Sequence, residues 1–248
     1  MSEAGPLTGR IALVTGASRG IGYEAAKGFA AAGAHVIAVA RTVGALEELD
    51  DEIKAAGGTA TLVPLDLKDY EGIDRLGGAI FERWKKLDVL FANAGLLGRL
   101  SPLAHVPAEI WDDVIAVNLT ANWRLLRSLD PLLRQSEAGR ALFVSSGAAR
   151  RLRPFWGPYA ISKAALEAMV QIYAKEVAKT PIKVMAVDPG ATRTGMRAQA
   201  VPGEDPMTLP HPSEIVPYLV EMASPGFART NVLFDFPTGS YTDFPGTA

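Results

Sequence analysis

The chain has 248 residues, of which 48% are hydrophobic and 21% are charged, and its formal net charge is −2 at pH 7. This near-neutral charge gives no sign of a nucleic-acid-binding surface, and the absence of cysteine excludes disulfides, thiol nucleophiles and cysteine-ligated metals. The three histidines, His35, His105 and His211, are far apart and lack metal-ligand spacing, so we expect neither a metal site nor a histidine-based catalytic triad.

Seven short apolar runs are typical of strands buried in a parallel sheet. They are residues 11–14, 36–39, 60–64, 89–92, 141–144, 183–187 and 232–234. Longer segments with helical apolar spacing lie between them, at residues 21–32, 45–56, 70–84, 109–133 and 159–179. Strands that alternate with helices of this length predict an α/β fold, in which right-handed crossovers build one parallel sheet with helices on both faces.

No change of composition indicates a linker and no internal repeat is present, so we expect one domain over residues 1–248, with a variable tail from about residue 236. Residues 202–212 contain four prolines and are expected to form a surface excursion. The first ten residues lack the apolar core of a signal peptide, and no apolar run approaches membrane-spanning length. We therefore expect a cytoplasmic protein that does not associate with a membrane.

A glycine-rich turn, TGASRGIG at residues 15–22, follows the first strand and leads into a helix. Glycines let the backbone approach a pyrophosphate, and a helix N-terminus offers free N–H groups and a positive dipole end. Its G-x-x-x-G-x-G spacing differs from the more familiar G-x-G-x-x-G, and alone it could be merely a tight connection. Its place in an alternating chain favours a dinucleotide site that includes Gly16, Ser18, Arg19, Gly20, Ile21 and Gly22.

The choice of nucleotide is expected at the end of the second strand, where a carboxylate favours NAD and an arginine accommodates the 2′-phosphate of NADP. This strand ends in Arg41 and Thr42 with no carboxylate, and Arg19 already lies in the glycine turn. The pattern favours NADP(H), although Arg41 could also be a solvated residue at a helix start. Asp66, followed by Leu67, could accept a hydrogen bond from the adenine amino group or cap the next helix.

Tyr159 and Lys163 are four residues apart on one predicted helix and therefore share a face. An ammonium group near a phenol lowers the phenol pKa, which favours proton exchange near neutral pH. Ser146 follows the fifth strand, at the edge where open α/β sheets bind ligands, and its hydroxyl could hold a substrate oxygen. Asn118 is the fourth residue of this candidate catalytic set. As a separate observation, a Y-x-x-x-K pair occurs by chance in many helices.

Taken together, the motifs resemble those of the short-chain dehydrogenase/reductase family. They are TGASRGIG at residues 15–22, NAG at 93–95, VNL at 117–119, VSS at 144–146, YAISK at 159–163 and PG at 189–190. All appear in family order, and the resemblance covers residues from about 8 to about 225. It implies a doubly wound, Rossmann-type, seven-stranded parallel sheet, a nicotinamide cofactor and a homodimer or homotetramer.

The resemblance also implies a role for each matching residue. Ser146 and Tyr159 would hold the carbonyl oxygen while Tyr159 donates the proton, and Lys163 would hold the nicotinamide ribose and depress the tyrosine pKa. Asn118 would hold a water that continues the proton relay. Further cofactor contacts are implied for Asn93, Ala94, Gly95, Pro189, Gly190, Thr192 and Thr194.

Several features leave alternatives open. The sequence after the last strand lacks the double glycine usual in reductases of acyl-carrier-protein substrates, and its aromatic residues could pack on their own subunit, at an interface or over the site. Three arginines between Ser146 and Tyr159 could bind an anionic substrate or form a solvated rim. Residues 193–211 could be a mobile lid or a static excursion. Phe155 and Trp156 could form an apolar wall or pack in a dimer.

Three functions are compatible with these observations. The favoured one is an NADP(H)-dependent oxidoreductase acting on a small-molecule carbonyl or secondary alcohol, with Tyr159 as general acid and base. A reductase of 3-oxoacyl thioesters is the alternative within enzymes. A non-catalytic NADP-binding regulatory protein is the third, and it is disfavoured because such proteins typically lose the tyrosine or the lysine.

Overall fold

The computed structural model describes residues 5–244, which form one eight-stranded sheet with helices on both faces. The strands are β1 (Ile11–Thr15), β2 (His35–Ala40), β3 (Thr59–Pro64), β4 (Val89–Ala92), β5 (Arg140–Val144), β6 (Lys183–Asp188), β7 (Val232–Asp235) and β8 (Ser240–Asp243). Their spatial order is β3-β2-β1-β4-β5-β6-β7-β8, and β1 to β7 are parallel. The predicted α/β class and its seven parallel strands are confirmed.

The helices connect these strands across the two faces of the sheet. They are α1 (Gly20–Ala31), α2 (Val43–Ala55), α3 (Tyr70–Trp84), α4 (Ala108–Ile115), α5 (Ala121–Leu133), α6 (Ala148–Arg151), α7 (Gly157–Glu176), α8 (Gly195–Ala200) and α9 (Val216–Ala223). Within residues 5–244, none of these helices has the length and apolarity of a membrane span.

Two apolar cores lie on opposite faces of the sheet because successive strand residues point to opposite sides. Val14 and its neighbours pack against α1, α2 and α9, whereas Leu13 contributes to the core under α3, α5 and α7. Every residue of β1, β4 and β5 is buried, as expected of central strands covered on both faces.

The sequence did not predict helices α6, α8 and α9, and two further elements differ from the prediction. Residues 109–133, predicted as one helix, contain a π-helical turn, Ala116–Thr120, between α4 and α5. Such wide turns occur mostly as single turns inside α-helices and are frequent at functional sites, and this one contains Asn118. The second difference is β8, which pairs antiparallel with β7 and adds an eighth strand that no apolar alternation had indicated.

The C-terminal aromatic residues within the described range pack on their own subunit. Tyr241 stacks near Phe227 and Phe234, and Phe236 contacts Tyr218. Of the three arrangements left open for the tail, the structure supports this one. The predicted domain boundaries at residues 1 and 248 lie outside the described residues.

The order of the strands also positions the candidate site. β1 continues through α1 to β2 on one side, whereas β4 lies on the other side of β1. At this reversal the loops beyond the carboxyl ends of the strands diverge, and open α/β sheets bind their ligands in the resulting crevice.

Candidate active site

A cleft of about 910 Å³ runs along the carboxyl ends of the parallel strands. Most of the residues predicted from the sequence line it: Gly16, Ser18, Arg19, Gly20, Ile21, Arg41, Asp66, Leu67, Asn93, Ala94, Gly95, Ser146, Tyr159, Lys163, Pro189, Gly190, Thr192 and Thr194. Three predicted residues do not form its wall: Gly22, Thr42 and Asn118. The glycine turn and the Tyr159 region therefore belong to one continuous site.

The glycine turn takes a backbone conformation that only small residues tolerate. Gly16 has φ +68° and Gly20 has φ +60°, and a Cβ on Gly16 would lie 2.9 Å from Asn93 Nδ2. Gly22 lies under this turn, where a Cβ would overlap the carbonyl of Gly16. Arg19 precedes α1 in an extended conformation, and no side chain in the described chain caps this helix N-terminus. The uncapped N–H groups and the close backbone suit a pyrophosphate.

The end of β2 places a cationic side chain on the cleft. Arg41 is 64% exposed, and its nearest carboxylate is that of Asp66, with Nη1 and Oδ2 3.8 Å apart. Such a long, exposed ion pair leaves the guanidinium available to a phosphate. Asp66 accepts the N–H of Lys68, whereas Asp69 accepts the N–H of Gly72 and caps α3. The alternative of Asp66 as the helix cap was therefore wrong.

Asn93 braces the glycine turn rather than facing the cleft with its amide. Its Nδ2 donates to the carbonyls of Thr15 and Gly16, at 3.0 and 3.4 Å. The Thr15 hydroxyl in turn accepts the N–H groups of Asn93 and Ala94. Thr15 was not predicted to have a role. Its hydroxyl at the end of a buried strand holds the ends of β1 and β4 together beneath the site.

Asn118 is fully buried in the π-helical turn. Its amide accepts the N–H of Leu96 at 2.7 Å and donates to the carbonyl of the same residue at 2.9 Å. It also donates to the hydroxyl of Ser162 on α7. The side chain thus joins the loop after β4 to the helix of Tyr159.

Ser146, Tyr159 and Lys163 meet at one end of the cleft. The Ser146 hydroxyl lies beside the Tyr159 phenol and acts to lower its pKa. Lys163 Nζ lies 5.8 Å from the centre of the tyrosine ring and donates to the carbonyl of Val144 at 2.7 Å. Tyr159 is 8% exposed and Lys163 is 2% exposed, so both polar groups are held away from bulk water.

This burial acts against the expected effect of Lys163 on Tyr159. Lys163 was expected to depress the Tyr159 pKa, but burial raises that pKa to about 12, against the opposing effect of the Ser146 hydroxyl. Burial also lowers the Lys163 pKa to about 8. The cause is shared, since a low-dielectric site disfavours both the phenolate and the ammonium. Burial therefore favours the protonated phenol, the form that can donate a proton.

The Pro189-Gly190 turn follows β6 and borders the same end of the cleft. Gly190 has φ +62°, and a Cβ there would overlap the ring of Pro237 in the C-terminal turn. The Thr192 hydroxyl donates to the carbonyl of Pro189, and that of Thr194 accepts the N–H of Arg197. Both hydroxyls thus have partners within the chain.

The three arginines before Tyr159 do not act alike. Arg151 and Arg153 line the cleft, as does Trp156, whose ring lies 6.2 Å from that of Tyr159. Arg150 instead pairs with the buried carboxylates of Glu167 and Asp188. Neither substrate binding nor a solvated rim, the two alternatives for this loop, describes Arg150.

The segment 193–211 borders the cleft through α8. It is tied to itself by the Arg197–Glu204 ion pair and by the N–H of Arg193, which donates to Pro210. Met196 lines the cleft, whereas Met207 is 71% exposed. These contacts hold the segment at the edge of the cleft. That it moves as a lid stays a prediction.

Comparisons with known proteins agree with this geometry. The family model described as short chain dehydrogenase matches residues 10–205. An oxidoreductase of Escherichia coli K12, YciK, described as uncharacterized, is 39% identical over 237 residues, which are 94% of each chain.

Two solved structures are similar over nearly the whole chain. A short-chain dehydrogenase from Shigella flexneri in complex with NADP has a TM-score of 0.90 at 38% identity, with 95% of this chain and 100% of that chain covered. One from Escherichia coli CFT073 in complex with NADPH has a TM-score of 0.87 at 38% identity, with coverage of 94% and 99%.

Proposed function

The chain belongs to the short-chain dehydrogenase family, and we propose that this oxidoreductase uses NADP(H) to interconvert a small-molecule carbonyl compound and a secondary alcohol. The observation that carries this proposal is the cluster of Ser146, Tyr159 and Lys163 at one end of the cleft that begins at the glycine turn. A nucleotide bound along the glycine turn would bring its reactive end to a protonated phenol.

Several features support the phosphorylated cofactor. The end of β2 presents Arg41 and no carboxylate, and Arg19 lines the same cleft. The tight glycine turn and the uncapped start of α1 fit a pyrophosphate. The complexes of the two similar structures with NADP and NADPH agree with this assignment.

The proposed mechanism gives each polar side chain one task. The nicotinamide, when bound, supplies or accepts the hydride. In the reductive direction, the hydroxyls of Ser146 and Tyr159 donate hydrogen bonds to the carbonyl oxygen, and the phenol then donates its proton. Lys163 holds positive charge beneath the phenol when it is protonated and so stabilises the phenolate that remains. Asn118 fixes the loop that faces them.

A 3-oxoacyl thioester is the alternative substrate class. Arg151 and Arg153 line the cleft next to Trp156, and guanidinium groups there could meet the phosphates of a thioester carrier. The same chemistry at Tyr159 would serve both substrate classes.

The proposed enzyme works in the cytoplasm as a homodimer or homotetramer. Exposed apolar side chains support the oligomer, since Trp123 on α5 is 47% exposed and Ile172 on α7 is 58% exposed. Association would remove this apolar surface from water.

The test is a screen of ketones, aldehydes and 3-oxoacyl thioesters with purified protein, monitored by NADPH absorbance. We expect NADPH oxidation with at least one carbonyl class, slower oxidation of NADH, and no turnover by Tyr159→Phe, which keeps its NADPH affinity. Substantial activity of Tyr159→Phe would exclude this tyrosine as the proton donor. NADPH binding without turnover of any class would favour a regulatory protein.

A further inference from the structure

Behind the catalytic residues, a cluster of charged side chains joins three elements. Arg150 on α6 donates to Glu167 on α7 through Nη1 and to Asp188 at the end of β6 through Nη2. The arginine side chain is 37% exposed, but the Glu167 and Asp188 side chains are only 9% and 3% exposed. Two charged carboxylates that are so little exposed to solvent are strongly stabilised by a cation between them.

Each carboxylate also touches a segment that forms the site. Glu167 accepts the hydroxyl of Ser145, the neighbour of Ser146, at 2.6 Å and lies one helical turn beyond Lys163. Asp188 accepts the N–H of Gly190 at 3.0 Å, which fixes the turn after β6. Through its two carboxylate partners, the arginine therefore connects the Ser146 segment, the Tyr159 helix and the Gly190 turn.

From this geometry we infer that Arg150 is a positioning residue, which holds the Ser146, Lys163 and Gly190 segments in register and compensates the charges of Glu167 and Asp188. The inference rests on the proposed function, because it states what keeps that catalytic site assembled. It assigns Arg150 no contact with substrate or cofactor.

The electrostatics of the site give this role a measurable signature. The Asp188 carboxylate acts to raise the Tyr159 pKa, and Glu167 acts to raise the Lys163 pKa. Arg150 pairs with both carboxylates, so its positive charge should act against both effects. Charged side chains that surround Tyr159 or line the cleft beside it come from several elements: Arg150, Arg151, Arg153, Lys163, Glu167, Asp188 and Arg193.

The first variant is Arg150→Met, which removes the charge and keeps much of the volume. We expect its kcat to fall about tenfold or more, because three segments lose their common partner. In the direction of alcohol oxidation, which needs the phenolate, the pH at half-maximal kcat should rise by about 0.5–1 unit, because Asp188 is no longer compensated. The melting temperature should fall by about 6–12 °C.

Neutralising the carboxylates distinguishes charge compensation from simple packing. The triple variant Arg150→Met/Glu167→Gln/Asp188→Asn contains no unpaired charge, so its melting temperature should recover by at least about half of the loss. The pH at half-maximal kcat for alcohol oxidation, its pH limb, should also return toward that of the original enzyme. Arg150→Lys keeps the charge but loses the forked guanidinium. Its melting temperature and its pH at half-maximal kcat should lie between those of Arg150→Met and the original enzyme.

Arg75→Met is the matched control, since Arg75 also bridges two carboxylates, Asp69 and Glu71, but lies 67% exposed on α3 outside the cleft. It should leave kcat, the pH limb and the melting temperature nearly unchanged. If Arg150→Met retained kcat within about threefold and an unshifted pH limb, or if the triple variant were no more stable than the single one, the inference would be overturned.

The proposed function and the positioning role of Arg150 can be refuted independently of each other. An original enzyme that turns over no carbonyl would refute the proposed function, while the melting temperatures would still test the charge compensation. Should Arg150→Met be too unstable to purify, the triple variant decides: a folded triple variant supports the inference, and an equally unstable one contradicts it.

Discussion

At the scale of single residues, the site is governed by what burial does to a lysine and a tyrosine. Lys163 donates to the carbonyl of Val144, and burial lowers its pKa to about 8. The same burial raises the pKa of Tyr159 to about 12. Burial thus favours a neutral phenol that can donate its proton. It also makes the ammonium form of the neighbouring lysine unfavourable.

The buried ammonium should be visible in the pH dependence of stability. Lys163 has a folded pKa of about 8 and an unfolded pKa of about 10.4, so between these values the unfolded chain binds the proton and the folded chain does not. The contribution of Lys163 to the free energy of unfolding therefore rises with pH. Relative to Lys163→Met, the original protein should gain about 3 kcal/mol between about pH 7 and about pH 11.

Urea denaturation of both proteins without added nucleotide measures this difference. Lys68→Met is the control: Asp113 raises the pKa of that exposed lysine, so any contribution from it is lost rather than gained as pH rises. A difference for Lys163 that stays flat or falls over this pH range would contradict the burial argument.

A second residue, Arg41, should decide between the two nicotinamide nucleotides. Its exposed guanidinium can bind a 2′-phosphate in place, whereas NADH offers it no partner. NADPH should bind at least about tenfold more tightly than NADH, and Arg41→Ala should reduce the ratio below about threefold.

Calorimetric titration of both nucleotides measures the two ratios. Arg134→Ala provides a comparison, because that guanidinium pairs with Asp130 on α5 and does not line the cleft. Equal affinities for NADPH and NADH in the original protein would refute the nucleotide assignment.

At the scale of elements, the C-terminal hairpin supports the floor of the site. Pro237, between β7 and β8, lies so close to Gly190 that no Cβ fits there, and Gly190 also has a positive φ. Gly190→Ala should therefore lower the free energy of unfolding by about 1–3 kcal/mol. Adding Pro237→Ala should restore the part due to overlap, about 1 kcal/mol, but not the backbone strain.

Thermal and urea denaturation of the two variants measure these changes. Gly44→Ala, in α2 with open space around the glycine, should not destabilise the protein, because alanine is the better helix former. If Pro237→Ala failed to stabilise the Gly190→Ala protein, the hairpin would not be what confines this turn.

The sequence predicts features that short segments determine, and it does not predict contacts between residues that are far apart along the chain. The glycine turn and the Tyr159–Lys163 pair were predictable, because a strand–helix junction and a four-residue spacing are properties of short segments. Arg150 lies 17 residues from Glu167 and 38 from Asp188, so only the folded chain shows that they meet. Glu167 did offer a signal, since it follows Lys163 at the same helical spacing.

The other failures have the same origin. β8 has one half-buried aromatic residue, Tyr241, among three exposed polar residues, so it is a strand because β7 pairs with it rather than because of its own pattern. The apolar periodicity continues without interruption through the π-helical turn at Asn118, so it could not indicate this turn. The effect of burial on the pKa of Tyr159 was not predicted, because the sequence indicates neighbours but not the depth of burial.

At the scale of the whole molecule, one cleft joins every predicted part. The sheet brings the glycine turn after β1, Arg41 after β2, Ser146 after β5 and Gly190 after β6 to the same edge. Parallel strands end on one side, so residues as far apart in sequence as Gly16 and Gly190, which are 174 positions apart, line a single crevice. We propose that hydride and proton are both delivered at the Tyr159 end of this cleft.

The transfer of deuterium from NADPH labelled at both C4 positions tests this proposal. With a carbonyl compound that the screen identifies, the alcohol product should contain one deuterium on its carbinol carbon by mass spectrometry, and Tyr159→Phe should form no such product although it binds NADPH. Oxidation of the labelled NADPH without deuterium in the product, or labelled alcohol from Tyr159→Phe at a rate near that of the original enzyme, would contradict the account.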